Sequence, residues 1–349
     1  MAKVVIAGVG KYLPERIVTN EELVKIFASH GRTETPSGKP LTAEWIEGIV
    51  GIKERRWADP KQNTSDLAFL AAEEALKEAG IFWHQLHCVR VGSSSPEAFF
   101  PSTACLTLHH CSGHTLHTEA ADTLAACTSG LYALTDVYRA MMTEPDYNWG
   151  LAAGAEVLAS RMTNFKDIND DLWGDGAGAV VLKKVHYNTK SGIICTHLGS
   201  EPDLAPLTLS VGKGTRVGDI LIHHPSIFLD GHRIQRFVWE ILPKIIEETM
   251  AKANLILAEN CQEAITLQDI DLFAVHQANA RIFERPAQQL GIPLEKFYVN
   301  VDRYGNTSSA SVFIVLAEAM EKELVQKGDI VMLVSFGGGI TWGSVLVRL

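Results

Sequence analysis

The sequence predicts an α/β protein made of two similar halves, residues 1–185 and 186–349. Short apolar runs with strand character alternate with stretches whose apolar residues recur at helical spacing. The order of these runs begins again near residue 186, which reads as a duplicated unit sharing one core. The chain of 349 residues, 46% hydrophobic and 21% charged, is long and apolar enough to bury that core.

In the first half, "KVVIAGVG" (3–10) reads as a strand, followed by a helix at 64–79 and the strand "CVRVGSSS" (88–95). A helix at 102–110 leads to "DTLAACTSGLYAL" (122–134). There a strand of small apolar residues, spaced as if buried over 120–126, meets a helix over 128–143. In that helix Leu131, Leu134, Val137 and Met141 keep the 3.6 period until Pro145 stops it. "NWGLAAGAEVL" and "GAGAVVLKKV" close the half as strands. The second pass runs from "SGIICTHLGS" to a helix at 230–253, then "DIDLFAVH" and a helix at 278–290. "KFYVNVDRYGN", a helix at 308–326 and the pair "DIVMLVSF" and "GSVLVRL" complete it. The stretches 29–42 and 199–219, rich in Gly, Pro, Thr and Ser, read as loops.

Bulk properties exclude several functions. A net charge of −10 argues against nucleic-acid binding. No run approaches the ~18–20 apolar residues of a membrane span. The N-terminus reads as strand and turn rather than signal peptide, which points to the cytoplasm, and the six cysteines have no framework spacing.

Cys127, His276 and Asn306 each follow an apolar strand at the point where a helix begins. Ligands and catalytic groups collect at the carboxyl ends of strands in open α/β sheets, so these three can converge. A cysteine at a helix N-terminus is expected to have a lowered thiol pKa. A neutral imidazole and an amide N–H can donate to an oxyanion or enolate, and the glycines of "SFGGGITWGS" can add backbone donors. Residue by residue, plainer readings stand: a small core cysteine, a structural histidine, an N-cap asparagine and a glycine hairpin. Their joint occurrence at matching strand ends favours chemistry.

"DTLAACTSGLYAL", "GDGAGAVVL", "VHQANARI", "DRYGNTSSASV" and "SFGGGITWGSVLVRL" together resemble β-ketoacyl-acyl carrier protein synthase III. The resemblance covers nearly the whole chain. It implies a thiolase-like, five-layered αβαβα fold, a homodimer, and no metal or other cofactor. It also implies a two-step reaction: Cys127 takes an acyl group from a thioester, then malonyl-carrier protein is decarboxylated and its enolate, held by His276 and Asn306, attacks the acyl-cysteine. The N–H groups of Cys127 and Gly338 would form the oxyanion hole, and Trp45, Phe99, Asn279 and Phe336 would contact substrate. Arg236, Arg281 and Arg285 would dock the acidic acyl carrier protein.

The chain departs from the family at two coenzyme A contacts. Ile49 stands at the arginine position of "W-I-x-x-R-T-G-I", and Asp167 stands near a second. Losing two guanidinium–phosphate contacts removes a few kcal/mol of binding, which leaves acyl-coenzyme A and a carrier-bound acyl group both open as donor. A lysine pair of the carrier-docking rim is Gln288 and Gln289 here. A condensing enzyme of secondary metabolism with an unusual starter is the second reading. Asn306, where long-chain synthases have histidine, and the segment "LVSFGGG", where biosynthetic thiolases place a second cysteine just before the glycines, favour the class III branch. A papain-type hydrolase shares the Cys–His–Asn set but its local signature is absent. "HHCSGHTLH" (109–117) has residues that can bind zinc but reads as loop imidazoles, and "GVGKY" lacks dinucleotide-binding spacing.

Overall fold

The structure, a computed structural model, describes residues 2–111, 116–186, 189–211, 216–217, 220–221 and 226–349. Its larger sheet joins β1 (Lys3–Tyr12), β4 (Cys88–Gly92), β5 (Glu119–Thr123), β6 (Trp149–Glu156) and β7 (Gly176–Val185) in the order β1-β7-β6-β4-β5. The second sheet joins β8 (Gly192–Ser200), β13 (Leu272–Val275), β14 (Ile330–Gly337) and β15 (Thr341–Arg348) in the order β13-β14-β15-β8. Short ribbons pair β2 (Arg16–Thr19) with β3 (Glu54–Trp57), β9 (Thr208–Val211) with β12 (Ser226–Leu229), and β10 (Arg216–Val217) with β11 (Ile220–Leu221).

Helices fill three layers around the two sheets. α3 (Thr64–Ala79) lies on β1, β6 and β7, and α4 (Thr103–His109) lies beside it. α5 (Ser129–Thr143) and α9 (Ser311–Glu321) run between the sheets, and α6 (Gly231–Glu259) and α7 (Glu284–Leu290) cover the outer face of the second. The order is therefore αβαβα. α1 (Asn20–Ser29), α2 (Ala43–Val50) and α8 (Val301–Tyr304) sit on the connections.

Periodicity explains the central layer. Leu131, Leu134, Val137 and Met141 of α5 are fully buried in the cluster that also takes Val312, Val315 and Leu316 from α9. Burying such side chains contributes about 1.5–3 kcal/mol each. α3 matches its expected span because both ends are marked: Asn63 and Asp66 form a capping box, and Gly80 closes the helix in the left-handed region (φ 69°).

Several expectations change. β5 is an edge strand with a half-exposed pattern, not a buried one, because among the described residues no strand pairs beyond it. α7 starts at Glu284 because residues 278–283 form turns after His276. The run 296–306 forms no strand but two isolated bridges, Phe273 to Phe297 and Trp173 to Asn306, with the short α8 between them, so Asn306 follows a helical turn rather than a strand. α6 continues past residue 253 because Ile256 and Leu257 extend its apolar face, and it passes through Pro243.

The Ser309 carbonyl is squeezed between α5 and β6. A Cβ at Gly130 would lie 2.3 Å from that oxygen, and one at Gly154 would lie 2.2 Å from it. Neither neighbour is a flexible side-chain tip, so Gly154→Ala should cost at least about 1–3 kcal/mol by overpacking. Urea denaturation checks this; an unchanged midpoint would show that the backbone yields freely.

Candidate active site

Cys127 stands in a tight turn, Ala126–Thr128, between β5 and α5. Ala126 is held at φ 49°, a left-handed conformation costly for a residue with a Cβ. Hydroxyls hold the turn: Ser129 Oγ donates to the Ala126 carbonyl (2.7 Å) and accepts from the Ala125 N–H (2.7 Å). From the second half, Thr341 Oγ1 donates to the Ala125 carbonyl (3.0 Å) and Ser335 Oγ to the Cys127 carbonyl (2.9 Å). Gly337 passes so close that a Cβ there would lie 2.7 Å from the Cys127 nitrogen.

His276 follows β13, its N–H donating to the Val334 carbonyl (2.8 Å). Its Nδ1 lies 2.7 Å from Ser311 Oγ, and its ring meets Phe336 edge to face at 5.2 Å. Asn306 is tied to the segment before β7: its N–H donates to the Leu172 carbonyl (2.8 Å), and the Gly174 N–H donates to its carbonyl (3.0 Å). The Ser308 N–H donates to Asn306 Oδ1 (2.8 Å), which leaves the amide Nδ2 for the cavity.

All three residues line one cavity, open to solvent, with apolar walls that include Leu158, Trp173, Ile234, Phe237 and Ile282. Asn279, Phe336 and Gly338 line it as well. The other expected contacts lie elsewhere. Trp45 is half-buried on α2 against an apolar cluster, and Ile49 of the same helix is exposed. Phe99 is 96% exposed and does not reach the cavity of its own chain. Arg236, Arg281 and Arg285 are exposed on α6 and at α7, with the Arg285 guanidinium 5.2 Å above the Trp239 ring. Asp167 caps a 3-10 turn: Oδ1 accepts from the Asn169 N–H (2.8 Å), and the Asp167 carbonyl accepts from Arg32 Nη1 (2.7 Å). Within 109–117, residues 112–115 lie outside the described residues.

The electrostatics reverse one expectation. Burial pushes the Cys127 thiol up to about 12, helped by the nearby Glu156; hydrogen bonds from the Ser308 side chain and the Cys127 N–H oppose this. Desolvation outweighs these hydrogen bonds, so the thiol rests protonated. Burial also holds His276 neutral, down to about 3. Sequence reasoning missed Glu156, whose buried carboxylate accepts from Ser95 Oγ (2.6 Å), the Ser94 N–H (3.0 Å) and Ser309 Oγ (2.7 Å). The serine run "SSS" at 93–95 and the "NTSSAS" segment were the available signals.

Five layers, αβαβα, enclose a cavity lined by a cysteine, a histidine and an asparagine. A sequence profile described as 3-oxoacyl-[acyl-carrier-protein (ACP)] synthase III matches residues 121–202, and one for the C terminal of that enzyme matches residues 261–349. The chain is 37% identical to the β-ketoacyl-[acyl-carrier-protein] synthase III of Xanthomonas campestris pv. campestris (strain 8004), covering 98% of this chain and 97% of that one. It is 34% identical to the Staphylococcus saprophyticus enzyme, with 98% of each covered. The crystal structure of 3-oxoacyl-[acyl-carrier-protein] synthase III from Aquifex aeolicus VF5 superposes with a TM-score of 0.84 at 32% identity, over 99% of this chain and 100% of that one. The chain belongs to the β-ketoacyl-acyl carrier protein synthase III family and is a condensing acyltransferase.

A buried neutral histidine makes folding sensitive to acid. Its folded pKa, about 3, lies below the ordinary 6.5, so the unfolded chain binds more protons as pH falls through that window. Wild type should therefore lose stability relative to His276→Asn between pH 6.5 and 3. Parallel denaturation curves across that range would show that the ring charges in place.

Proposed function

We propose that Cys127 is the residue acylated, that the N–H groups of Cys127 and Gly338 receive the oxyanion, and that His276 and Asn306 stabilise the enolate of malonyl-carrier protein. One observation carries this reading: side chains from three distant segments line a single apolar cavity open to solvent. The acyl donor is a thioester of coenzyme A or of the carrier, and the 3-oxoacyl thioester formed starts fatty acid synthesis in the cytoplasm. Carbon dioxide release makes the condensation one-way, and the chemistry uses no metal or redox cofactor. Among the described residues no helix is long and apolar enough to cross a membrane.

Arg236, Arg281 and Arg285 form the basic rim for the acidic carrier, in keeping with their exposure near the cavity-lining Phe237 and Ile282. The enzyme works as a homodimer. Among the described residues the outer edge of β5 is unpaired; that edge and the exposed Leu124 (76%), Phe99 and Phe100 are the surface a second copy would cover. Phe99 would then approach the partner's acyl site. The two halves, 1–185 and 186–349, each supply one sheet to this architecture.

Cys127→Ala should abolish the acyl adduct seen by intact-protein mass spectrometry; an adduct of undiminished yield would move the nucleophile elsewhere. Asn306→Ala should keep the adduct while malonyl decarboxylation falls roughly 10²–10³-fold. Leu124→Asp should shift the sedimentation mass from dimer to monomer, and a dimer that persists would place the interface on another face.

A further inference from the structure

Among the described residues Arg55 is the largest side chain that is fully buried, and it lies outside the cavity. It projects from β3 toward the segment 171–175 that precedes β7. Its Nη1 donates to Asn20 Oδ1 (2.7 Å) at the start of α1, and its Nη2 donates to the Asp171 carbonyl (2.9 Å). The next residue of β3 holds the other end of that segment, since the Asp175 N–H donates to the Arg56 carbonyl (2.8 Å). Between these two fixed points the segment bonds Asn306 on both sides, through the Leu172 carbonyl and the Gly174 N–H. The fit is close. A Cβ at Gly305 would lie 3.1 Å from the Arg55 Cβ, and one at Gly174 would lie 3.6 Å from it.

Stability alone does not account for a cation in this place. Taking a guanidinium out of water is costly, and the cost is repaid only when its N–H groups are all paired. Here Nε has no partner among the described residues. The Asp171 carboxylate that attracts Arg55 is shared with Arg32, whose Nη2 lies 3.6 Å from it. Burial pulls the guanidinium down to about 10, opposed by Asp171 and Glu54, so it keeps its charge at neutral pH. Buried charges can often be exchanged for apolar side chains without loss of stability. What a guanidinium gives that a methyl group cannot is direction, because its planar fork reaches two acceptors at fixed angles.

We propose that Arg55 is a positioning residue for Asn306. Through the Asp171 carbonyl it sets the place of Leu172, and so the direction in which the Asn306 amide faces the cavity. This rests on the assignment of Asn306 to the enolate made above. The effect belongs to one half-reaction. The hydrogen bonds that hold the Cys127 turn come from Ser129, Ser335 and Thr341, on other elements. A shift of Leu172 therefore moves the amide and leaves the nucleophile where it is.

The test compares the two half-reactions in Arg55→Lys, whose compact ammonium keeps the charge but cannot bridge both acceptors. Cys127 acylation, followed by intact-protein mass spectrometry, should be unchanged. Malonyl decarboxylation should fall roughly 10- to 100-fold, the loss that a misplaced group brings. In an Asn306→Ala background Arg55→Lys should add no further loss, because the group it positions is gone. Equal loss in both half-reactions, or losses that multiply in the double variant, would make Arg55 a stability element and overturn the proposal. Asn20→Ala, which frees the outer end of the guanidinium, should give the same split in weaker form. It decides the matter if Arg55→Lys does not fold, and loss of folding in both variants also counts against the proposal. Nitrogen-15 NMR of the unliganded, asparagine-labelled protein separates this from the assignment of the reaction. The Asn306 side-chain signal, identified by its absence in Asn306→Ala, should move in Arg55→Lys; an unmoved signal overturns the proposal. If Asn306→Ala leaves decarboxylation intact while that signal still moves, the reading of the reaction fails and the positioning stands.

Discussion

The site depends on backbones meeting more closely than side chains allow. A nucleophile from one sheet and an amide from the loop before α9 share a cavity only because the Ser309 carbonyl slips between Gly130 and Gly154. On the other side, Gly337 brings the β14–β15 hairpin against the Cys127 nitrogen. Glycine inside a helix or strand gives up about 0.5–1 kcal/mol relative to alanine. That loss is small beside the placement it permits, since a displacement of even an ångström separates donors from the atom they serve.

Once the backbones touch, polar anchors fix their orientation. Glu156, buried at the end of β6, accepts hydrogen bonds from both the 93–95 run and Ser309, and so ties the first sheet to the loop that carries Asn306. On the far side of that loop, Gln277 Oε1 accepts from the Asn300 and Val301 N–H groups (3.1 and 3.2 Å). Burial alone would raise the Glu318 carboxyl, but bonds from Arg303, Asn300 and Lys322 bring it down to about 2. An ionised carboxylate with four donors, the Tyr304 hydroxyl being the fourth, is a rigid anchor where an isolated one would be costly. The spacing between His276 and Asn306 is therefore set by Gln277, Asn300 and Glu318, none of which touches the cavity.

How much of this was legible in the sequence follows from which forces leave a periodic trace. Helices α3 and α5 could be read because burial imposes the 3.6 period and their ends carry Asn63, Gly80 and Pro145. The exposure of β5 could not, because small residues such as Ala120 and Ala121 suit a buried strand and an interface equally. The turns at 278–283 interrupt an apolar run without a glycine or proline to mark them. Cys127, His276 and Asn306 stood out because each is a polar residue where an apolar run gives way to a helical pattern, although the run before Asn306 folds into α8 and not a strand. Ser308, Ser311 and Glu156 did not, since a hydroxyl or a carboxylate declares its role only through the partner it faces. Asp167 shows the limit of position alone: the residue near an expected arginine is a turn cap, and an arginine 135 positions away binds its carbonyl.

Two half-reactions in one cavity set opposite demands, and burial meets them together. In the reaction proposed, the acyl-cysteine must survive until the malonyl group arrives, and walls such as Trp173, Ile234 and Phe237 would limit the water that could hydrolyse it. Those walls also lower the local dielectric, which favours a neutral thiol beside a neutral imidazole over an ion pair. A resting ion pair would attract water and would already hold the charge that catalysis needs to develop later. Keeping both groups neutral defers charge until a substrate is bound, when fixed donors around a dry centre stabilise it most strongly. The apolar lining is thus part of the chemistry as well as of the specificity.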